Sequence, residues 1–132
     1  MDEFKYHRKD ALLLDSKKLP AAGATASTDA IDIESADGKA ELALTVETLA
    51  NLVAEKTVKL TLKECDTADG EFTAVAWAGV QTLTGKSGNG CDAFEQRIGI
   101  PSTAKKFVKL EAVAEAGAGD NTGAAFGLAL LF

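Results

Sequence analysis

The segment Gly85-Lys86-Ser87 has the form of the end of a phosphate-binding loop, whose backbone amides and lysine hold phosphate groups. A complete loop also requires a glycine at position 80, where this chain has Val80. The residues that follow, Gly88-Asn89-Gly90, do not begin a helix, so no helix N-terminus directs amides toward a phosphate. We therefore predict a flexible loop here and no nucleotide site.

A second polar segment, Asp66-Thr67-Ala68-Asp69-Gly70, could bind calcium through its two carboxylates. An EF-hand loop needs ligands at alternate positions and a distal glutamate, and this segment has neither. This segment predicts a polar hairpin turn.

The two cysteines, Cys65 and Cys91, form no CxxC pair, and no second cluster completes a zinc site. We therefore expect two reduced thiols in or near the core.

Acid–base and nucleophilic catalysis also lack their usual residues. His7 is the single histidine and lies in a charged N-terminal segment, so the domain has no histidine base for a serine or cysteine nucleophile. The 20 acidic residues would allow a pair of catalytic carboxylates. Most of them alternate with apolar residues or lie in turns, as on solvated faces. We predict that the protein is not an enzyme and binds no metal or cofactor.

Trp77 is the lone tryptophan and could offer a stacking platform for a sugar ring. It lies among Ala76, Ala78 and Gly79, which favours a role in the core or at an interface. A carbohydrate-binding module, of the kind found in a phage adhesin, stays open as an alternative.

The composition limits the classes of partner. A net charge of −6, from 20 acidic and 14 basic residues, is opposite to what phosphate binding requires, so nucleic acid is not expected as a partner. No apolar segment is long enough for a signal core or a membrane span. These features predict a soluble protein that is made in the cytoplasm and has no membrane partner.

Alternation of apolar and polar residues predicts the elements that must position any site. In residues 57–64, Val58, Leu60 and Leu62 face one way while threonines and lysines face the other, as in a half-buried antiparallel strand. Further strands are predicted at 27–34, 42–47, 72–77, 94–100, 107–113 and 124–132. Residues 11–15 form a short strand or an anchor, and 49–56 have the spacing of a single helical turn. About eight short strands with glycine turns predict an all-β sandwich or barrel.

Three segments resemble the cement, or decoration, proteins of tailed-bacteriophage capsids. They are the strand–turn–strand unit at 58–75, the segment Arg97-Ile98-Gly99-Ile100-Pro101 leading to 106–110, and the glycine-spaced apolar strand at 122–130. Their order and spacing resemble that family over roughly residues 11–132. The resemblance implies an antiparallel β-sandwich of jelly-roll type that forms homotrimers on the capsid exterior and ties major capsid proteins together. An open immunoglobulin-like sandwich is the alternative architecture.

This interpretation divides the chain into an N-terminal arm and anchor segment at 1–22 and a single sandwich domain at 23–132. Phe4 and Tyr6 lie outside any predicted core strand, and Leu12, Leu13 and Leu14 are consecutive, so they cannot all face one core. We predict that residues 4–14 contact a neighbouring subunit of a homotrimer or the capsid. Trp77 is the sixth interface candidate. A tail or neck connector protein is a further alternative function.

Overall fold

The computed structural model describes residues 9–33 and 41–131, with side chains from Asp15 onward. Its strands, in chain order, are β1 Lys9–Lys18, β2 Thr25–Ser27, β3 Ile31–Asp32, β4 Glu41–Val46, β5 Thr57–Cys65, β6 Thr73–Ala74, β7 Gln81–Thr84, β8 Phe94–Gly99, β9 Phe107–Ala114 and β10 Ala125–Leu131. The described residues contain no helix. The protein is therefore all-β, as the alternation predicts.

The strands form two antiparallel sheets that pack face to face. The four-stranded sheet has the order β1-β10-β4-β8, and in the six-stranded sheet β9 and β5 are central. β2 and β3 both pair with one edge of β9, while β6 and β7 both pair with one edge of β5. Counting each of these pairs as one interrupted strand gives the orders 1-8-3-6 and 2-7-4-5. This is the strand order of a jelly roll, so the predicted fold class is confirmed.

The core lies between the sheets and consists of the inward side chains of alternating strands. β5 and β10 together contribute six of its buried members, Val58, Leu60, Leu62, Phe126, Leu128 and Leu130. Because the side-chain period of a strand is two, the residues between those of β5 point outward. Burial of each large apolar side chain contributes about 1.5–3 kcal/mol, which makes this interface the main source of stability.

One buried polar residue connects the interrupted edge of the six-stranded sheet to β9. Between β2 and β3, Thr28 donates its N–H to the Leu110 carbonyl at 2.9 Å. The Thr28 hydroxyl accepts a hydrogen bond from the Leu110 N–H, also at 2.9 Å. The gap between these two short strands therefore leaves no Leu110 backbone group unpaired, as burial requires.

Most predicted strands are confirmed, with boundaries within two residues: those at 42–47, 57–64, 94–100, 107–113 and 124–132 correspond to β4, β5, β8, β9 and β10. In place of the single strand predicted at 27–34, the chain has two short strands, β2 at 25–27 and β3 at 31–32. Glu34 and Phe132 lie outside the described residues. β1 is longer than the predicted strand at 11–15, and this part of the expected arm and anchor pairs with β10 as an edge strand.

The predicted strand at 72–77 is wrong over most of its length. Only Thr73 and Ala74 pair with β5, and Val75 adds one backbone bond to Leu62 at 3.0 Å. The chain then leaves the sheet until β7, which occupies the remaining edge of β5 at 57–60. Residues 76–80 thus form an irregular segment between two short edge strands.

Residues 49–56 form tight turns in place of the helical turn that their spacing allowed. The Lys56 N–H donates to the Val53 carbonyl at 3.0 Å, and the Val53 N–H donates to the distant Ala118 carbonyl at 3.1 Å. Glu55 has a φ of 68°, in the left-handed region, which interrupts any right-handed helix. Leu49 and Leu52 are nevertheless buried, so their apolar character reflects the core and not a helix face.

Candidate interaction surfaces

In the loop after β7, backbone N–H groups donate to carbonyl groups of the loop itself and of the neighbouring 49–54 turn. The Lys86 N–H donates to Gly90 at 2.8 Å, the Asn89 N–H donates to Lys86 at 2.8 Å, and the Gly90 N–H donates to Leu52 at 2.7 Å. The Asn89 side-chain oxygen accepts from the Ala54 N–H at 3.0 Å. These amides hold the loop against the 49–54 turn, so it is a hydrogen-bonded turn and less open than the glycine content suggested.

The polar turn at 66–70 follows β5 directly. The Gly70 N–H donates to the Thr67 carbonyl at 3.3 Å, and the Cys65 sulfur lies 3.8 Å from the Thr67 hydroxyl. Cys65 and Cys91 are both free and half-buried. Within 9–33 and 41–131, no three His, Cys, Asp or Glu side chains come together as a metal site would require.

Trp77 fixes the irregular 76–80 segment to the six-stranded sheet. Its indole packs against the core cluster and is half-buried. The Trp77 Nε1 donates to the Glu64 carboxylate at 3.2 Å, and the same oxygen, Oε1, accepts from the Lys105 N–H at 3.0 Å. Glu64 therefore joins two connecting segments at the end of β5, and the indole has a structural role here.

The other predicted interface residues lie at the N-terminus. Phe4 and Tyr6, together with His7, lie outside the described residues. Leu12, Leu13 and Leu14 are part of β1, in the portion where only the backbone is described. Their contact with another chain stays a prediction.

Asp120 is a carboxylate whose pKa is shifted by its local hydrogen bonds. The Thr122 hydroxyl and N–H both donate to the Asp120 side chain, at 2.6 and 3.1 Å. These hydrogen bonds lower the pKa of Asp120, because they favour the charged carboxylate. The arrangement orders the turn that leads into β10 and involves no second titratable group.

In the outer face of the six-stranded sheet, the side chains of both central strands are described. β9 and β5 contribute its two central rows, Phe107, Lys109, Glu111 and Val113 from β9 and Thr57, Lys59, Thr61, Lys63 and Cys65 from β5. The alternation that sends Val108, Leu110 and Ala112 inward sends these residues outward. We call this surface the outer β5–β9 face.

Charged side chains on the outer β5–β9 face are held by specific partners. Lys63 and Lys109 lie directly opposite each other, a position that destabilises like charges. Lys63 Nζ instead meets the Glu111 carboxylate at 3.0 Å. Lys109 Nζ lies 4.6 Å from the centroid of the Phe72 ring. Since both lysines are already ordered, a partner that binds here loses less side-chain entropy on contact.

Val113 is the apolar centre of one end of the outer β5–β9 face. It is 37% exposed, and Val80 at 53% is the other exposed large hydrophobic among the described residues. Val113 lies opposite Lys59 and Thr25 on the adjacent strands. With Glu55, Thr57, Lys59 and Glu115 it borders a shallow groove of about 540 Å³. An apolar residue inside a polar rim is the usual composition of a protein contact.

The charge of the outer β5–β9 face differs from that of the whole chain. Its outward positions include the lysines 59, 63 and 109, against Glu111 on β9 and Asp32 on β3. The chain as a whole carries a net charge of −6. With Glu55 and Glu115 at the groove, and Lys56 beside Glu115, positive and negative charges on this face balance, so it is closer to neutral than the chain as a whole.

Sequence reasoning did not single out Val113, although its pattern contained a signal. Val113 is out of phase with the inward residues Val108, Leu110 and Ala112, so alternation places an apolar side chain on the polar face. A single exposed apolar side chain is common on protein surfaces, so this break in alternation does not by itself mark a contact, and the groove beside Val113 is apparent only in the structure.

No protein-family model matches the chain, and no curated protein sequence matches it. The described part of the chain has no helix that is long and apolar enough to cross a membrane.

Proposed function

We propose that this chain is a structural virion protein that binds the outer surface of a tailed-phage capsid and stabilises contacts between major capsid proteins. The resemblance of three segments to capsid cement proteins supports this function. The observation that carries it is the outer β5–β9 face, with Val113 exposed among ordered lysine and threonine side chains. The protein is made in the host cytoplasm and joins the exterior of the head.

The size of this face suits a contact that is repeated many times. Strand spacing and rise per residue give it an area of roughly 500 Å². A stable interface usually buries about 800 Å² on each partner, so a single contact of this kind is modest. On a capsid, many copies bind a periodic surface, and contacts to two capsid proteins by one rigid body add through effective concentration. A rigid sandwich meets this requirement without any catalytic group.

The homotrimer implied by the resemblance is part of this proposal. It uses residues 4–14, which include the first part of β1, and leaves the outer β5–β9 face free. The carbohydrate-binding and connector alternatives gain no specific observation from the described residues. Trp77, on which the first of these depended, contacts the core and Glu64.

Substitution of Val113 by glutamate is expected to weaken binding to heads by about tenfold or more. The change places an unpaired charge in the contact, and burial of an unpaired charge costs at least about 1.4 kcal/mol, which is tenfold in affinity. The measurement is co-sedimentation of the purified chain with expanded, DNA-free heads of the phage that encodes it.

The control is Ala93→Glu, since Ala93 is also an exposed apolar residue but directly precedes β8, on the four-stranded sheet and away from the outer β5–β9 face. Its affinity should stay within about twofold of the unmodified chain, because a substitution outside the contact removes no binding energy. Equal losses for both variants, or no loss for Val113→Glu, would remove this face from the proposal.

A further inference from the structure

β8 is a regular edge strand that contains no lysine, no proline and no bulge, three features that often protect an edge. Among the described strands it hydrogen-bonds only to β4, with a regular register over all six of its residues. The other edges are short or irregular. β2, β3, β6 and β7 have at most four residues each, and β1 shifts register between Lys9 and Leu14. A regular edge strand presents unpaired N–H and C=O groups that another strand can pair with.

The sheet register identifies the backbone groups of β8 that face outward. The Glu47 N–H donates to the Ala125 carbonyl at 3.0 Å, so the odd-numbered residues that lead out of β4 bond to β10. The even-numbered residues of β4 therefore bond to β8, where their partners are Phe94, Gln96 and Ile98. The residues between and after these, Glu95, Arg97 and Gly99, therefore direct their N–H and C=O groups away from β4, where no described residue bonds to them.

A second copy of β8 fits this edge in one favourable antiparallel register. In two antiparallel registers, five residues of each strand are paired and the outward N–H and C=O groups of the two copies face each other. One register has Gln96 at its centre, and the other has Arg97. The second register places Arg97 opposite Arg97, which is unfavourable. The first places Glu95 opposite Arg97 twice. Both side chains are exposed on the outer face of the sheet, where they already approach each other at 3.5 Å within one chain.

The inward side chains of β8 agree with the same register. Centring on Gln96 places Phe94 opposite Ile98 of the other copy, and both of these residues are half-buried at the open edge of the core. The two Gln96 residues form the non-hydrogen-bonded pair at the two-fold axis, with Cα atoms about 4.5 Å apart. Gln96 Oε1 is buried and has no hydrogen-bond partner among the described residues. If the Gln96 side chain rotates toward the strand edge, the Gln96 amide of the second copy can donate to this oxygen.

We propose that two copies of this chain pair antiparallel along β8, centred on Gln96, and join their four-stranded sheets into one continuous sheet. The inference does not rest on the capsid function. β8 lies at the opposite edge of its sheet from β1 and on the other sheet from Val113, so the pairing leaves residues 4–14 and the outer β5–β9 face free.

The test is light scattering and sedimentation of the full chain over a micromolar concentration series. The unmodified chain should reach an even multiple of 13.7 kDa, which is twice that mass if β8 pairing acts alone and six times that mass if the homotrimer of the proposed function also forms. Glu95→Arg and Arg97→Glu, each alone, place like charges opposite each other in both pairs and should weaken the dimer about tenfold or more. Both residues are exposed, so the fold is retained, and thermal unfolding of each variant verifies this.

Mixing the two single variants provides the decisive control. A chain with arginine at 95 and 97 faces a chain with glutamate at both, so the mixture should form a heterodimer, and the double variant Glu95→Arg/Arg97→Glu should dimerise alone. If a substitution weakened the dimer only by disturbing its own chain, mixing the two variants would not restore dimer formation. A strict monomer, a homotrimer unaffected by these variants, or a mixture that stays monomeric would overturn the proposal.

Discussion

Phe126→Ala is expected to lower the free energy of unfolding by about 3–5 kcal/mol, the range for removal of a buried aromatic ring. Phe126 is 1% exposed and has the largest side chain among the fully buried residues. It lies in β10, between β1 and β4, opposite Val46, where the surrounding strands cannot collapse into the space. A domain of this size is stable by about 5–15 kcal/mol, so this single change removes a large share.

Denaturant unfolding followed by tryptophan fluorescence or circular dichroism measures this loss. The control is Phe72→Ala, because the Phe72 ring is only half-buried and contacts Lys109 on the outside of the sheet. Its loss should be less than half that of Phe126→Ala, since part of the ring is already in water. A similar loss for both variants would contradict the position of the core between the two sheets.

Gly85→Ala is expected to destabilise the fold by about 1–3 kcal/mol or more, because the added methyl group has no space. A Cβ at Gly85 would overlap the carbonyl group of Val53 and would lie 2.8 Å from the Leu52 oxygen. These are backbone atoms held by the turn, and Gly85 is itself hydrogen-bonded to Glu55 and Lys56. Relief of the overlap therefore requires the 49–56 turn to move away from β7.

Gly123→Ala is the matched control for this steric effect. A Cβ at Gly123 has no neighbouring atom within 4 Å. Its stability should stay within about 0.5 kcal/mol of the unmodified protein, as for surface substitutions in general. Comparison of the two thermal unfolding temperatures tests the close approach, and equal shifts would show that Gly85 has no special contact.

The sequence predicts the regular strands well because one face of each is buried. In β5 and β9, every second side chain is buried, and apolar residues occupy these positions in the sequence. The bounds of both strands therefore follow from the alternation of apolar and polar residues. The 49–56 turn does not follow from such a pattern, since it depends on the bond from Val53 to the distant Ala118. Likewise, the strand predicted at 72–77 ends early because β7 occupies the rest of the β5 edge.

The candidate surfaces are harder to derive from the chain alone. The exposed position of Val113 follows from its phase relative to Leu110, which the sequence contains. The free edge of β8 depends on the order of strands in the sheet, which alternation does not encode. The register that pairs Glu95 with Arg97 becomes apparent only when that edge is known.

The stability of heads with and without this chain tests the proposed function most directly. Heads from a phage that lacks the gene are filled with DNA, and the temperature at which they release it is measured before and after the purified chain is added. The account predicts that the chain binds the outside of the head in a fixed ratio to the major capsid protein and raises the release temperature. Heads that do not bind the chain, or that release DNA at the same temperature with the chain bound, would contradict it.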